Sequence, residues 1–262
     1  MESTPIQLRK RIIIFLFGII SWPRFKWSFN THISGSENLK NLPKKGVLFV
    51  GNHQTYFAET ALMYHVIIAS KWRRYNKLPA PYMLMVPKIN IFFVAAMETM
   101  TSGLLPRLFK LAGGILVKRT WRAKGENVKR KVDLKDTRKI GDALERGWVI
   151  NFPQGTTKPF VKGRKGVAHI IKQYHPVVVP IVVDGFRRSF DKKGLFFKKK
   201  GLDLYLTVKP PIHIDYEGNV EDVLKDVMYE IEQSEEFDQV GNLDATRELE
   251  KKEDQKPKRT WY

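Results

Sequence analysis

Cysteine is absent from all 262 residues. Disulfides, thiolate metal sites and a cysteine nucleophile are therefore excluded. Acids are scarce as well: 27 Asp and Glu stand against 46 Lys and Arg, a formal charge of +19. An excess of that size points to an anionic partner, whether nucleic acid, a phospholipid surface or a polyanionic cofactor, without choosing among them. The six histidines, at 32, 53, 65, 169, 175 and 213, show no metal-ligand spacing, so no metal is expected. The G-x-S-x-G elbow, the P-loop, G-x-G-x-x-G and H-E-x-x-H are all missing.

A long hydrophobic run is missing too. The longest apolar stretch near the start, Ile12 to Trp22, has eleven residues. As a helix it spans roughly 16 Å at ~1.5 Å per residue, against a hydrocarbon core of ~30 Å. No small-residue cleavage site follows it; Trp22 and Pro23 stand there instead. Arg9, Lys10, Arg11, Arg24 and Lys26 flank the stretch, with Trp22, Phe25 and Trp27 at one edge. Basic flanks and interfacial tryptophans suit a helix lying in one leaflet; a buried core helix is the plainer alternative.

What is present is 43% apolar residues, enough for a sizeable core. Short β-rich runs at 46–51, 81–86, 114–119, 148–152, 177–183 and 202–208 alternate with helical patterns at 57–72, 98–112, 123–146 and 163–174. Several runs are continuously apolar, as strands covered on both faces are. The expected fold is a single α/β domain with a central, mostly parallel or mixed sheet flanked by helices, preceded by the N-terminal membrane-docking helix. The organisation expected is residues 1–28 as the membrane-associating segment, 29–240 as the domain, and 241–262 as a charged tail after a last amphipathic helix at 221–237.

Four stretches carry chemistry. In "VGNHQTYFAET", His53 follows a predicted buried strand and precedes a helical pattern, a loop position where α/β sheets build sites. A histidine there acts as general base if something fixes its tautomer. Glu59 is the only acid within ten residues on either side, and its extra methylene lets it fold back to the ring. The plainer reading makes Glu59 a solvated first-turn acid favoured by the helix dipole. "NFPQGTTKPF" again follows a strand; Gly155, Thr156 and Thr157 offer N–H groups and hydroxyls as a possible anion cradle, with Lys158, Lys162, Arg164 and Lys165 close behind. "GGILVKRT" ends in Lys118 and Arg119, and "VVVPIVVDG" holds Pro180, which argues for an edge strand or a bulge.

Together and in this order, "NHQTYFAE", "GGILVKR", "FPQGTT" and "VVVPIVV" resemble the four motifs of the glycerolipid acyltransferase superfamily, the PlsC-type lysophosphatidic acid acyltransferases. That pattern is N-H-x4-D, G-x-I-F-I-x-R, F-P-E-G-T-R-S and an apolar V-P-[IV] strand. The resemblance runs from about Gly46 to Val183 and includes an N-terminal apolar docking segment. It implies His53 as the catalytic histidine and Arg119 as the reader of the acceptor's phosphate. It also implies Gly155 and Thr156 as third-motif contacts, with Gln154 and Lys158 beside them in substrate binding. The acyl donor would be a thioester, acyl-CoA or acyl-ACP, with no further cofactor. Because a thioester is already activated, no covalent enzyme nucleophile is required: His53 takes the proton of a lysolipid hydroxyl, and backbone N–H groups stabilise the oxyanion.

Three departures bear on specificity. Ala58 stands where the superfamily's aspartate belongs, which makes Glu59 the substitute; a subgroup of that superfamily places its acid one position later. Gln154 replaces the third motif's glutamate and Thr157 its arginine, leaving Lys158, Lys162 or Arg164 to take the arginine's place. The acceptor expected is 1-acyl-glycerol-3-phosphate, the alternative a lysolipid without phosphate, such as an acylated amino acid. The basic stretch 186–201 interleaves cations with Phe186, Phe190, Phe196 and Phe197. It suits a nucleic-acid groove or a loop lying on anionic lipid. Beside a lipid-handling site the lipid surface is the expected partner, not nucleic acid, and the expected location is the cytoplasmic face of the cell membrane, peripheral or monotopic. A non-catalytic binding protein is the competing class.

Overall fold

The computed structural model describes residues 7–97, 104–118, 122–123, 126–127 and 134–238. Helix α1 (Leu8–Trp27) leads into strand β1 (Asn30–Ser34) and a 3-10 turn at Ser36–Leu39. Strand β2 (Val47–Gly51) and helix α2 (Ala58–Lys71) follow, then a second 3-10 turn at Pro81–Met85 and strand β3 (Ile91–Ala96). Helix α3 (Leu104–Leu111), strand β4 (Gly114–Val117), the short pair β5 (Arg122–Ala123) and β6 (Glu126–Asn127), and helix α4 (Leu134–Leu144) come next. The rest is β7 (Trp148–Asn151), α5 (Lys165–Tyr174), β8 (Val177–Asp184), α6 (Phe186–Ser189), β9 (Asp203–Val208), α7 (Val220–Glu230) and α8 (Glu235–Asp238).

Seven strands form one mixed sheet in the order β1-β9-β8-β2-β7-β3-β4. Strands β8, β2, β7, β3 and β4 run parallel; β9 turns antiparallel to β8 and pairs parallel with β1. Both faces are covered, which is why β2 reads as an unbroken apolar run. Val47 and Phe49 join the core under α1 and α2, with Leu62, Met63 and Ile67. Leu48 and Val50 join the opposite core under α4, α5 and α7, with Ile140, Ile171 and Val227. The α/β domain with a mixed central sheet is thus the architecture observed.

Several elements differ from expectation. The apolar run at 81–86 is a 3-10 turn rather than a strand, because Pro81 sits at its first position and Met83 and Leu84 are buried under α1. The strand lies later, at Ile91–Ala96. Residues 122–123 and 126–127 pair antiparallel, so the helix expected over 123–146 is only Leu134–Leu144 where described. Pro180 lies in an interior strand, not at an edge. The Val177 N–H points to Gly46 O on the β2 side, so alternation turns the ring nitrogen of Pro180 the other way. There the antiparallel ladder with β9 begins only at Ile181, and no donor is needed.

The N-terminal helix is longer than its apolar stretch. Lys10, Ile14, Gly18 and Phe25 are buried on the domain. The Lys10 amine donates to Asn90 Oδ1 at 2.6 Å and Ile91 O at 2.5 Å, pinning α1 to the start of β3. Its other face leaves Leu8, Ile12, Leu16, Ile19, Ile20 and Trp27 exposed. Among the described residues, no helix is long and apolar enough to cross a membrane.

Candidate active site

The motif-bearing segments that are described converge on one edge of the sheet, beyond the C-terminal ends of β2, β4, β7 and β8. This is where parallel strands leave a crevice for ligands. After β2 the chain turns through Asn52, and that side chain fixes the turn. Its amide donates to Val183 O at 2.8 Å, and its carbonyl accepts from the Val183 N–H at 2.7 Å. Gln54 ties the loop to the same neighbour: its Oε1 accepts from the N–H groups of Phe186 at 2.9 Å and Arg187 at 3.2 Å. His53 is held between these two anchors.

His53 Nδ1 lies 2.7 Å from Glu59 Oε1. The same oxygen accepts from the Gln54 N–H at 2.9 Å and the Thr55 N–H at 2.8 Å. The Thr55 hydroxyl donates to Glu59 Oε2 and itself accepts from the Ala58 N–H at 3.1 Å. Glu59 is fully buried, so it is not a solvated first-turn acid. Burial by itself pushes its carboxyl up. The hydrogen bond and charge of His53 and the bonds from Thr55 outweigh that and hold it below the usual glutamate range. An ionised carboxylate only accepts, so Nδ1 donates to it, and in the neutral ring the lone pair a base needs is on Nε2. The His53 ring stacks on Phe152 from the end of β7, with centroids 4.1 Å apart and planes 20° from parallel.

Beside the ring is a cavity of about 400 Å³ whose walls include His53, Phe57, Lys118, Phe152, Gly155 and Arg164. A second, strongly apolar cavity of about 240 Å³ lies between α1 and α2; it shares Phe57, Thr60 and Phe93 with the first. At its wall His65 is buried, its Nε2 2.8 Å from Ser21 Oγ. Burial pushes its pKa down to about 3, so the ring is neutral.

The third motif folds differently from an open cradle. The Gly155 N–H donates to Phe152 O at 3.0 Å, closing the turn with Gly155 at φ 63°, so that donor is engaged within the loop. Gln154 is buried and does not line the cavity. Its amide donates to Val161 O and to Gln233 Oε1, both at 3.1 Å, tying the loop to the segment after α7. Thr156 Oγ1 accepts the Lys158 N–H at 3.3 Å; neither residue lines the cavity. Of the three cations weighed as substitutes for the missing third-motif arginine, Arg164 alone reaches the cavity wall. Arg119 lies outside the described residues, as does the tail from 241.

The stretch 186–201 exposes Lys192, Lys193, Lys198, Lys199 and Lys200 over aromatics that are mostly covered. Phe186 and Phe190 are core residues, and Phe197 packs on Phe29, leaving only Phe196 of the four aromatics exposed. Sequence reasoning did not single out Asn52, Gln54, Thr55 or Phe152. Gln54 and Thr55 adjoin the histidine, but the partners of Asn52 and Gln54 are about 130 residues away and leave no local pattern.

A histidine fixed by a buried carboxylate at the C-terminal edge of such a sheet is the arrangement of a general base. The Acyltransferase family model matches residues 30–184, more than half of the chain, and the chain belongs to that family. The match bears out the resemblance carried by the four motifs. The fold is that of the 1-acyl-sn-glycerophosphate (LPA) acyltransferase PlsC from Thermotoga maritima: TM-score 0.56 at 17% sequence identity, covering 97% of this chain and 83% of that one. No curated protein matches the chain in sequence.

Proposed function

We propose that this acyltransferase moves a fatty acyl group from a thioester, acyl-CoA or acyl-ACP, to the hydroxyl of a lysolipid, with 1-acyl-glycerol-3-phosphate the favoured acceptor. The observation that carries the reading is the 2.7 Å contact between His53 Nδ1 and a buried Glu59 at the mouth of a cavity. His53 Nε2 takes the hydroxyl proton as the oxygen attacks the thioester carbonyl; the C–S bond breaks and the proton passes to the departing thiolate. Glu59 keeps the tautomer and stabilises the imidazolium. The apolar cavity between α1 and α2 suits the acyl tail, since it meets the site cavity at Phe57, Thr60 and Phe93. Lys118 and Arg164 on the site wall favour an acceptor with a phosphate over one without, and Arg119 belongs to the same proposal through its motif.

The exposed apolar face of α1, flanked by Arg9, Arg11 and Lys26, supports peripheral docking on an anionic membrane at its cytoplasmic face. The test is purified protein with radiolabelled acyl-CoA or acyl-ACP and a panel of lysolipids with and without phosphate. Acylation of 1-acyl-glycerol-3-phosphate that vanishes in His53→Ala supports the reading. Acylation of a phosphate-free acceptor alone overturns the acceptor, and no transfer to any acceptor overturns the activity.

A further inference from the structure

The segment after α6 folds back over the start of α2. Asp191 organises it: one carboxylate oxygen accepts from the N–H groups of Leu195 at 2.7 Å and Phe196 at 2.9 Å, and the Asp191 carbonyl accepts from the Gly194 N–H at 2.8 Å. Two contacts then dock the turn. The Tyr56 N–H donates to Lys192 O at 3.0 Å, and the Arg24 guanidinium, from the last turn of α1, donates to Leu195 O at 2.7 Å. Gly194 is thereby pressed onto the residues that hold Glu59. A Cβ at Gly194 would lie 2.6 Å from both Ala58 N and Thr55 Oγ1, and 2.9 Å from Ala58 Cβ. Two of those atoms belong to the carboxylate's support, since Ala58 N–H donates to Thr55 Oγ1 and that hydroxyl donates to Glu59.

We infer that Gly194 is a positioning residue for acyl transfer: its bare Cα lets the Asp191–Phe197 turn close on Thr55 and Ala58, which fixes Glu59 and through it the tautomer of His53. The contact also accounts for the place of the acid. Ala58 is buried beside Gly194, where a larger side chain has to be accommodated, whereas position 59 points inward to the histidine. The inference rests on His53 and Glu59 being the catalytic pair.

Gly194 has φ 77°, so any substitution there also strains the backbone. Gly201, ten residues or fewer from the same turn, separates the two effects: its φ is 75°, yet a Cβ there meets nothing within 4 Å. The experiment compares Gly194→Ala, Gly201→Ala and wild type by two readouts. The first is kcat and donor KM with the acceptor the wild type uses best. The second, independent of turnover, is the downfield proton resonance of His53 Nδ1 bonded to Glu59, identified by its disappearance in His53→Ala. The expected result is that Gly194→Ala loses about ten- to a hundredfold in kcat with donor KM nearly unchanged, and that its Nδ1 resonance shifts or vanishes. Gly201→Ala keeps both. Equal losses in the two variants, or a wild-type resonance in Gly194→Ala, overturn the inference.

If Gly194→Ala does not fold, Thr55→Ala and Thr55→Ser carry the test, because Thr55 Oγ1 is the atom Gly194 presses on. The alanine variant should lose the resonance and the serine variant keep it; a wild-type resonance in Thr55→Ala overturns the inference. A wild type that acylates nothing but shows the resonance, lost in Gly194→Ala, rejects the proposed reaction and leaves the positioning role standing.

Discussion

Glu59 reaches His53 across six residues of chain to within 2.7 Å, and it does so from a site with no exposure to water. The glutamate is at once the orienter of the ring and the acceptor for the loop's own Gln54 and Thr55 N–H groups. Glu59→Gln should therefore lower kcat by about a hundredfold or more, with donor KM little changed. Glu59→Asp should retain part of the activity, about tenfold down, because the shorter chain loses reach. Steady-state kinetics on purified protein decides; a wild-type kcat in Glu59→Gln would remove the carboxylate from the mechanism.

Moving the acid to the superfamily's usual place should fail here. The double variant Ala58→Asp with Glu59→Ala keeps one carboxylate near His53 in sequence. The new side chain, however, starts from the buried position of Ala58 beside Gly194, and the Gln54 and Thr55 N–H groups lose their acceptor. The expected kcat is no better than that of Glu59→Ala alone, measured side by side.

His65 gives a pH dependence of known sign. Its pKa is pushed down to about 3 in the fold, against roughly 6.5 when unfolded. Between those values the unfolded chain binds the extra proton. The contribution of His65 is complete above about pH 6.5 and is lost as pH falls toward 3. His65→Leu, which removes the titration from an apolar wall, should show a shallower loss of urea midpoint between pH 6.5 and 4 than wild type. Parallel curves would show that the ring does not titrate on unfolding in this range.

The exposed face of α1 can be tested without touching the site. Ile12, Leu16 and Ile19 are 42%, 52% and 42% exposed, line neither cavity, and lie along one side of the helix. Replacing all three by serine should abolish flotation with anionic vesicles in 1 M salt, where charge attraction is screened within roughly 3 Å. Turnover of a short-chain, micelle-free acceptor should persist. Unchanged flotation would assign docking to another surface.

The contact between His53 and Glu59 was legible because the two residues are close in sequence and a glutamate has the reach. The sheet was legible where strands are covered on both faces, as in β2, β7 and β8. It was not legible in β1, whose alternating half-exposed residues "NTHIS" carry no apolar run. Nor was it legible at 81–86, where a short apolar run does not distinguish a strand from a buried turn. The roles of Gln154 and Gly194 were hidden for another reason. Each is defined by a partner far along the chain, Gln233 in one case and the Thr55–Ala58 turn in the other, and one sequence shows no such pairing. Pro180 misled because an edge-strand rule assumes both ladders are in use at that residue, and here one has not yet begun.

The parallel pairing of β1 with β9 sets an order of events during synthesis. Asn30 to Ser34 find their partners at Asp203 to Thr207, near the other end of the domain. While a ribosome is still making the intervening chain, β1 has no sheet edge to join. Helix α1, immediately before it, lacks Phe186 and Phe190, against which Phe25 packs. Contacts of such long sequence separation close slowly. Until β9 is made, the nascent chain therefore holds β1 without its partner and the Phe25 end of α1 only partly covered.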